Sequence, residues 1–312
     1  MKRILITGGT GFIGSNLANY YSKNNEVIVF DNNRRGKISS LNKNKNIKFI
    51  NGDITDNKKF DKACKNIDSV IHLAYINGTK FFYKYPDKIL EIATKGITNV
   101  IDSCIRNNIK QLFLASSSEV YQNPKIIPTP EDIPLTIPDI HNPRYTYGGG
   151  KILTELHGIH YAKYFKKMII FRPHNVYGPN MGNEHVIPQL IIKINKIKNS
   201  NKPLEILGDG KQTRSFIFID DFVKSFDLIF KKGKHKNIYN IGNNDEIKII
   251  NLAKKIKLIS GISNNTKFTS NHKGSPNRRC PDISKIRNLG YQMHYNINEG
   301  LNLTYEWYKS VK

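Results

Sequence analysis

A glycine-rich segment near the N-terminus limits the possible folds of this chain more than any other feature of the sequence. It spans Gly8 to Gly14, reads GGTGFIG, and lies between a short apolar run at Arg3 to Thr7 and an amphipathic stretch. Gly8 permits a tight turn, Gly11 lets the backbone approach a pyrophosphate, and Gly14 allows a helix to pack closely on a strand. The segment therefore predicts a strand, a phosphate-binding turn and a helix, in that order.

Short apolar runs alternate with longer amphipathic stretches through the first half of the chain, which is the pattern of βαβ units. Helices are predicted within Asp87 to Asn107 and Tyr147 to Tyr164. Parallel strands joined by right-handed crossovers form a doubly wound, Rossmann-type α/β sheet, and its ligands bind beyond the carboxyl ends of the strands. The strands are predicted at Arg3 to Thr7, Glu26 to Asp31, Ile47 to Asn51, Ser69 to Ala74, Gln111 to Ser116 and Met168 to Arg172.

The pattern changes after about Arg172. A connection rich in Pro, Gly and Asn leads to a Lys/Ile-rich helix at Val186 to Asn199 and to short strands near Leu204 and Ser215. This change predicts a smaller C-terminal lobe that binds the substrate. We expect a nucleotide-binding domain at residues 1–173 together with about 215–246, and the second lobe at residues 174–214 and 247–312.

The composition is strongly basic, with 49 Lys and Arg against 25 Asp and Glu and a formal net charge of +24. Such a balance makes nucleic acid a partner to consider. However, the basic residues are scattered, mostly lysine, and not interleaved with aromatic residues. We therefore predict no nucleic-acid partner.

Other features of the composition narrow the class of protein. No run approaches the roughly 18 apolar residues that cross a bilayer, and the first apolar run meets glycine too soon for a signal peptide. We expect a cytoplasmic protein with no membrane partner. Cys64, Cys104 and Cys280 are widely spaced, which predicts buried free thiols and no metal site.

A carboxylate at the end of the second predicted strand supports a dinucleotide site. Asp31 lies 23 residues after Gly8, where a carboxylate accepts hydrogen bonds from ribose hydroxyls. Asp31 should repel a 2′-phosphate, whereas Arg34 and Arg35 could attract one, so NAD is predicted and NADP stays open. Asp53 is a candidate contact to the adenine edge or simply a turn former. The predicted cofactor-binding residues are Gly8, Gly11, Phe12, Ile13, Gly14, Asp31, Asn32, Asp53, Ile54, Ala74 and Lys151.

Tyr147 and Lys151 are spaced so that a helix would put a phenol and an ammonium on one face. Gly148, Gly149 and Gly150 lie between them and oppose a helix, so tertiary packing must hold this segment. A nearby ammonium and a cationic nicotinamide favour the phenolate, which makes Tyr147 a candidate base near neutral pH for a sugar hydroxyl. Taken alone, the pair is also typical of a surface tyrosine beside a surface lysine.

Several further motifs occur together and in order. After the glycine turn come HLA at His72 to Ala74, SSSEVY at Ser116 to Tyr121, the YGGGK segment, and RPHNVYGP at Arg172 to Pro179. Together they resemble the extended short-chain dehydrogenases of the NAD-dependent nucleotide-sugar epimerase/dehydratase family. The likeness covers nearly the whole chain and continues through Gly208 to Phe216 and Pro276 to Asp282.

The resemblance implies roles for individual residues. Ser117 would hydrogen-bond the 4-hydroxyl of the sugar, Tyr147 would accept its proton, and Lys151 would hold the nicotinamide ribose and tune Tyr147. Two arginines would grip the diphosphate of the substrate, a role that suits planar bidentate donors. The residues implied to bind the substrate are Ser118, Asn175, Arg214 and Arg279.

The resemblance also implies a homodimer, because members of the family commonly pair two helices from each subunit. The corresponding stretches are Asp87 to Asn107 and Ile152 to Tyr164. Some positions depart from the family pattern: Tyr75 replaces a small residue, Ala93 replaces an asparagine, and Ser275 replaces an acidic residue. These departures leave the identity of the sugar open.

Glu119 bears on the reaction that follows oxidation at C4. This position is generally not acidic in 4-epimerases of the family, whereas the pair Ser118 and Glu119 resembles that of GDP-mannose-type 4,6-dehydratases and UDP-glucuronate decarboxylases. We therefore expect a 4-keto sugar intermediate with Glu119 as a second acid/base at C5. A 4-epimerase in which Glu119 is a cap or an ion-paired structural residue is the alternative. A non-catalytic NAD-binding sensor or scaffold is an alternative of another class.

Overall fold

The computed structural model of this protein describes residues 1–270 and 276–311, so the departure at Ser275 lies outside the described residues. The strands are β1 Arg3–Thr7, β2 Glu26–Asp31, β3 Ile47–Asn51, β4 Ser69–His72, β5 Gln111–Ala115, β6 Lys167–Pro173, β7 Val176–Tyr177, β8 Leu204–Leu207, β9 Thr213–Ser215, β10 Ile217–Phe218, β11 Asn237–Ile241, β12 Glu246–Lys248, β13 Thr266–Thr269 and β14 Arg278–Arg279.

The helices alternate with these strands. They are α1 Phe12–Tyr21, α2 Asn57–Ala63, α3 Thr79–Lys84, α4 Pro86–Glu91, α5 Ile97–Arg106, α6 Tyr145–Tyr161, α7 Val186–Ile197, α8 Ile219–Lys232, α9 Ile249–Ser260, α10 Ser284–Arg287 and α11 Ile297–Ser310. Short 3₁₀ turns lie at Ile38–Ser40, Ser118–Tyr121 and Ala162–Tyr164, and a π-helical turn lies at Ile92–Gly96.

Seven parallel strands form the central sheet, in the order β11, β6, β5, β4, β1, β2, β3. Successive side chains of β1 enter different cores, because Ile4 and Ile6 belong to one hydrophobic cluster and Leu5 to another. Helices α1 and α8 pack on the first face, and α2 and α5 pack on the second. The predicted Rossmann-type doubly wound sheet is therefore confirmed.

The second half of the chain adds smaller sheets beside the carboxyl ends of the central strands. Strand β9 lies between β12 and β14 in a three-stranded sheet. Arg214 on β9 and Arg279 on β14 are register partners in a parallel pair. This pairing brings two arginines from distant parts of the sequence to one place.

Several predicted boundaries were wrong by a few residues. The helix predicted at Asp87 to Asn107 begins at Pro86 and is interrupted by the π-helical turn, which buries both Ala93 and Gly96. The strand predicted to reach Ala74 ends at His72 because the next two amides donate to the Thr7 hydroxyl. The strand predicted to reach Ser116 ends at Ala115, the helix predicted from Tyr147 to Tyr164 begins at Tyr145 and ends in a 3₁₀ turn, and the helix predicted to reach Asn199 ends at Ile197.

Two other expectations can be compared with the structure. All three cysteines, Cys64, Cys104 and Cys280, are buried and free, as predicted. Across residues 1–270 and 276–311, we find no helix with both the length and the apolar character needed to cross a bilayer.

Candidate active site

The glycine segment forms the predicted turn between β1 and α1. Gly8 has a φ of +68°, and a Cβ there would lie 2.7 Å from the backbone nitrogen of Ala74. A Cβ on Gly14 would overlap the Gly8 carbonyl oxygen. Both positions therefore require glycine, and the turn leaves the N-terminus of α1 facing the carboxyl end of the sheet.

Asp31 ends β2 beside this turn. Its Oδ2 accepts a hydrogen bond from the Thr10 amide at 3.0 Å. A carboxylate oxygen has a second lone pair, so Asp31 can still accept from a ribose hydroxyl. Asp53 accepts hydrogen bonds from the Asn32 side chain at 2.7 Å and from the Thr55 amide at 2.9 Å, the latter being the bonding of a turn former.

Arg34 and Arg35, which could have attracted a 2′-phosphate, both lie against aromatic rings. The Arg34 guanidinium is 5.2 Å from the centroid of Tyr85, and that of Arg35 is 5.3 Å from the centroid of Phe81. Cation–π contacts of this kind stabilise a guanidinium within the protein. Both arginines nevertheless stay exposed and line the cofactor cavity, so the preference for NAD over NADP rests on Asp31.

A cavity of about 790 Å³ lies above the glycine turn and the carboxyl ends of the strands. It is lined by every predicted cofactor-binding residue and also by Ser117, Ser118, Glu119 and Tyr147. The buried hydroxyl of Thr10 has no hydrogen-bond partner among the described residues. Free backbone amides at α1, this hydroxyl and the Asp31 carboxylate match the phosphates and ribose of NAD, so the residues fit that cofactor.

A second cavity, of about 750 Å³, adjoins the first. Glu119, Asn175 and Arg279 line both cavities, whereas Arg144 and Arg214 line only the second. The predicted cofactor and substrate residues are therefore distributed over two spaces that meet at Glu119.

Lys151 lies on α6 and is 2% exposed. Its Nζ donates a hydrogen bond to the Ala115 carbonyl at 2.8 Å and is 3.9 Å from the ring centroid of Tyr75. Burial lowers the pKa of Lys151 to about 7, although the Glu155 carboxylate favours its charged form. The burial that fixes the position of the Lys151 side chain therefore also makes its amine less basic.

Tyr147 is also buried. Its ring stacks on Phe82 at 4.9 Å and meets Tyr75 edge-on at 5.2 Å. Burial raises the pKa of Tyr147 to about 12, although the Ser117 hydroxyl and the charge of Arg35 act in the opposite direction. A phenolate near neutral pH therefore requires another positive charge, such as that of a bound nicotinamide.

The serine cluster directly follows β5. Ser117 is the N-cap of the 3₁₀ turn Ser118–Tyr121, and its Oγ accepts a hydrogen bond from the Glu119 amide at 3.1 Å. Arg279 Nη1 donates to Glu119 Oε1 at 2.6 Å. Burial acts to raise the pKa of Glu119, but Arg279, Arg144 and Arg214 outweigh it and lower that pKa to about 2.

Two of these arginines have donors to spare. Arg144 Nη2 is 3.9 Å from Glu119 Oε2. Arg144 Nε and the Nε and Nη2 of Arg279 are buried and have no acceptor within the part of the chain that the structure describes. These groups are suited to an anionic ligand. The sequence analysis missed Arg144, although it lies three residues before Tyr147.

The remaining substrate candidates are held by backbone contacts. Arg214 donates to the carbonyls of Thr213 at 2.7 Å and Pro276 at 2.8 Å. Burial and the charge of Arg279 lower the pKa of Arg214 to about 10. Asn175 has a φ of +40° and donates from Nδ2 to the Ser215 carbonyl at 2.8 Å. Its place at the junction of the cavities is fixed by this bond.

A buried polar network supports the serine cluster from below. Arg172 makes two bonds to Glu155, from Nε at 2.8 Å and from Nη2 at 2.6 Å, and a third from Nη1 to the Tyr121 hydroxyl at 2.5 Å. The Ser116 hydroxyl donates to the same glutamate. Sequence reasoning missed this network, although Glu155 lies one helical turn after Lys151 and so shares its face.

Fold and site together define a Rossmann-type enzyme that uses NAD. The chain belongs to the NAD dependent epimerase/dehydratase family, whose model matches residues 4–242. The resemblance inferred from the sequence motifs is therefore confirmed.

The known proteins that this chain is similar to include enzymes that act on nucleotide sugars. It is 32% identical to a dTDP-D-glucose 4,6-dehydratase of Dictyostelium discoideum, over 99% of this chain and 82% of that protein. It is 32% identical to UDP-glucuronic acid decarboxylase 3 of Arabidopsis thaliana, over 97% and 88%. The solved UDP-N-acetylglucosamine 4-epimerase of Methanobrevibacter ruminantium, in complex with UDP-N-acetylmuramic acid, superposes with a TM-score of 0.89 at 26% identity, over 99% and 98%.

Proposed function

We propose that this protein is an NAD-dependent nucleotide-sugar 4,6-dehydratase or decarboxylase that acts through a 4-keto sugar. The observation that carries the proposal is Glu119, a carboxylate in the same cavity as Tyr147 and Lys151 and two residues after Ser117. Oxidation at C4 needs only a base, its supporting residues and NAD. A second acid/base group is useful when a proton must also be moved at the carbon next to C4.

The first half of the proposed reaction uses the Tyr147 end of the cavity. Tyr147 Oη accepts the proton of the 4-hydroxyl, and Ser117 hydrogen-bonds the same oxygen. NAD⁺, when bound, supplies the acceptor for the C4 hydride. Lys151 holds the nicotinamide ribose, and its positive charge favours the phenolate form of Tyr147.

The second half uses Glu119. The C4 ketone acidifies the hydrogen at C5, which Glu119 removes with its carboxylate. In a dehydratase this proton is passed to the C6 hydroxyl, which leaves as water; the hydride held by the cofactor would then return to C6 while C5 receives a proton, which leaves a 4-keto-6-deoxy sugar and oxidised NAD. In a decarboxylase, by contrast, no C5 hydrogen is removed: the bond from C5 to its carboxylate breaks, CO₂ leaves, and the electron pair passes to the C4 ketone. C5 is then protonated, with Glu119 as the candidate group beside it, and the hydride held by the cofactor would return to C4.

The Glu119 ion pair affects this step. A carboxylate with a pKa of about 2 is fully ionised at neutral pH but is a weak base. A substrate diphosphate that engages Arg279 and Arg214 would draw Arg279 away from Glu119 and raise its pKa. Substrate binding would then prepare the base that acts on that substrate.

A 4-epimerase is the second candidate. The bond from Arg279 Nη1 to Glu119 Oε1 at 2.6 Å favours it, because a structural glutamate would be ion-paired in this way. A non-catalytic sensor is not favoured, since Ser117, Tyr147 and Lys151 all line one cavity.

The deciding experiment is incubation of the NAD-loaded protein with UDP-, dTDP- and GDP-hexoses and with UDP-glucuronate in deuterated water, followed by NMR of the products. We expect a dehydrated or decarboxylated sugar that carries solvent deuterium. Glu119→Gln should stop after oxidation and accumulate bound NADH. Glu131→Gln, a buried glutamate outside both cavities, is the matched control. A plain C4 epimer without deuterium, formed equally well by Glu119→Gln, would establish the epimerase.

We also propose a homodimer formed through the helices around α5 and α6. The support is that exposed apolar side chains fall together on the stretches implied to pair: Leu90 on α4 is 46% exposed, Leu156 on the neighbouring α6 is 51% exposed, and Tyr164 just after α6 is 53% exposed. Light scattering at micromolar protein and moderate salt should give a dimer mass. Leu156→Glu should give a monomer, whereas Leu258→Glu, at an exposed leucine on α9, should not; a monomeric wild type would refute the dimer.

A further inference from the structure

Two positions that depart from the family pattern, Tyr75 and Ala93, meet in the structure at Gly150. A Cβ added to Gly150 would overlap the Tyr75 hydroxyl oxygen and would lie 2.7 Å from the Cβ of Ala93. Gly150 directly precedes Lys151 on α6. The Tyr75 hydroxyl therefore occupies a gap that exists because residues 93 and 150 are both small.

The ring of Tyr75 contacts both residues proposed to carry out the oxidation. Lys151 Nζ is 3.9 Å from the Tyr75 ring centroid, whereas it is 5.9 Å from that of Tyr147. The Tyr75 and Tyr147 rings are perpendicular, with their centroids 5.2 Å apart. An ammonium over a ring face is attracted by the ring quadrupole, most strongly where water is excluded. Tyr75 thus contacts Lys151 with its face and Tyr147 through an edge-to-face pair.

Lys151 has few other ways to hold its position. The Ala115 carbonyl accepts its hydrogen bond at 2.8 Å, and burial favours the neutral amine. The Tyr75 ring face gives Nζ a second contact and favours the ammonium.

Packing alone does not explain a tyrosine at this position. The Tyr75 hydroxyl is buried without a hydrogen-bond partner among the described residues. An unpartnered buried hydroxyl destabilises a fold, whereas phenylalanine would fill the same cluster beside Phe82 and Ile89 without that cost. The hydroxyl lies at Gly150 and Ala93, where it limits movement of a ring that is already held by this cluster.

We propose that Tyr75 is a positioning residue that holds the Lys151 ammonium and the Tyr147 ring in their working places. The inference rests on the proposed function for the roles of Lys151 in cofactor binding and of Tyr147 as the base; the placement of both side chains by Tyr75 does not depend on it. It assigns the effect to the ring face, so the ring should be necessary and the hydroxyl should contribute less.

The test is a double-mutant cycle on the affinity of the cofactor-free protein for NAD⁺, measured by calorimetry. Tyr75→Leu and Lys151→Met should each weaken binding about tenfold, and the double variant should be no more than about twofold weaker than either, because Tyr75 acts through Lys151. Tyr75→Phe should stay within about twofold of wild type. Phe268→Leu, at an exposed ring outside both cavities, should change nothing. The proposal would be overturned if the double variant lost NAD⁺ affinity by the product of the two single losses. It would also be overturned if Tyr75→Leu bound NAD⁺ as tightly as wild type.

A replacement variant and a kinetic measurement complete the test. If Tyr75→Leu does not fold, as judged by circular dichroism, Tyr75→Met takes its place in the cycle. With an active substrate, Tyr75→Leu should lower kcat about tenfold or more with KM within twofold, and Tyr75→Phe should restore kcat; a loss confined to KM would contradict the assignment. A wild type that turns over no nucleotide sugar would refute the proposed function, and the NAD⁺ cycle would still decide the role of Tyr75.

Discussion

Tyr147 and Lys151 lie at one end of the site and Glu119 lies at the other, and their charges are set by different forces. At the first end burial dominates, so the pKa of Tyr147 rises to about 12 and that of Lys151 falls to about 7. At the second end burial also opposes charge, but nearby arginines reverse its effect and the pKa of Glu119 falls to about 2. The protein therefore keeps a neutral phenol beside an ionised carboxylate at the same pH.

This difference indicates which kind of ligand each end of the site suits. A neutral phenol in an apolar pocket needs a cation before it can act as a base, and NAD⁺ carries one on its nicotinamide ring. The arginine-rich end has buried donors with no acceptor among the residues that the structure describes, and an anionic substrate can take them up. The two ends are thus complementary to the opposite charges of cofactor and substrate.

Replacement of the phenol should have the largest effect. Tyr147→Phe is expected to lower kcat about a thousandfold while NAD⁺ and substrate still bind, because only the proton acceptor is lost. Product formation and calorimetry measure the two quantities. Tyr291→Phe is the control, since Tyr291 is also buried but lies outside both cavities. Activity of Tyr147→Phe within a few-fold of wild type would contradict the role of Tyr147.

The pH dependence should separate the two ends. The raised pKa of Tyr147 means that its phenolate fraction grows with pH, so the rate of C4 oxidation should rise up to tenfold per unit between pH 5 and 7. Glu119, with a pKa of about 2, stays ionised over this range and should add no slope. The pre-steady-state appearance of bound NADH measures this rate, and Glu119→Gln should leave its slope unchanged. If the slope disappeared in Glu119→Gln, the titrating group would be Glu119 and not Tyr147, which would contradict this prediction.

Two adjacent arginines on β14 allow a matched comparison. Arg279→Gln should raise KM for the nucleotide sugar roughly 30-fold, because a buried charged donor is lost. Arg278→Gln should change KM less than twofold, since the Arg278 side chain is 53% exposed and pairs with Glu246 at the surface. Steady-state kinetics of both variants measure the contrast. Equal increases in KM for the two variants would show that overall positive charge, and not the buried Arg279 side chain, determines substrate binding.

A smaller effect is expected at a residue remote from both ends. Asp31→Ala should weaken NAD⁺ binding about tenfold through loss of a charged acceptor, and it should narrow the preference over NADP⁺ by removing a repulsive charge. Titration with both cofactors measures these changes. The kcat of the NAD-saturated variant should stay near that of wild type; a large fall in kcat would mean that Asp31 also influences the catalytic end.

The parts of the fold that depend on local sequence were predictable. The apolar run before Gly8, the spacing to Asp31 and the serine cluster after β5 each combine a short-range pattern with a known backbone geometry. The glycines between Tyr147 and Lys151 correctly indicated a helix held by packing, because a Cβ on Gly148 would lie 3.0 Å from the Glu119 carbonyl oxygen.

The charge partners were not predictable in the same way. Glu119 and Arg279 are 160 residues apart, and nothing local to either residue indicates their contact. The same is true of Arg172 and Glu155, whose two bonds depend on how β6 packs beside α6. The pKa values followed neither residue type nor spacing, because burial and neighbouring charges exist only after folding.

The fit between Tyr75 and Gly150 also restricts how this site can change by single steps. A chain with alanine at position 150 has no room for the Tyr75 oxygen, so glycine must be acquired there before tyrosine is acquired at position 75. The reverse change at position 150 is restricted for the same reason. Alanine favours a helix more than glycine does, but an alanine Cβ at position 150 would overlap the Tyr75 hydroxyl. The packing therefore couples positions 75 and 150, so the residue present at one limits which residue the other can accept.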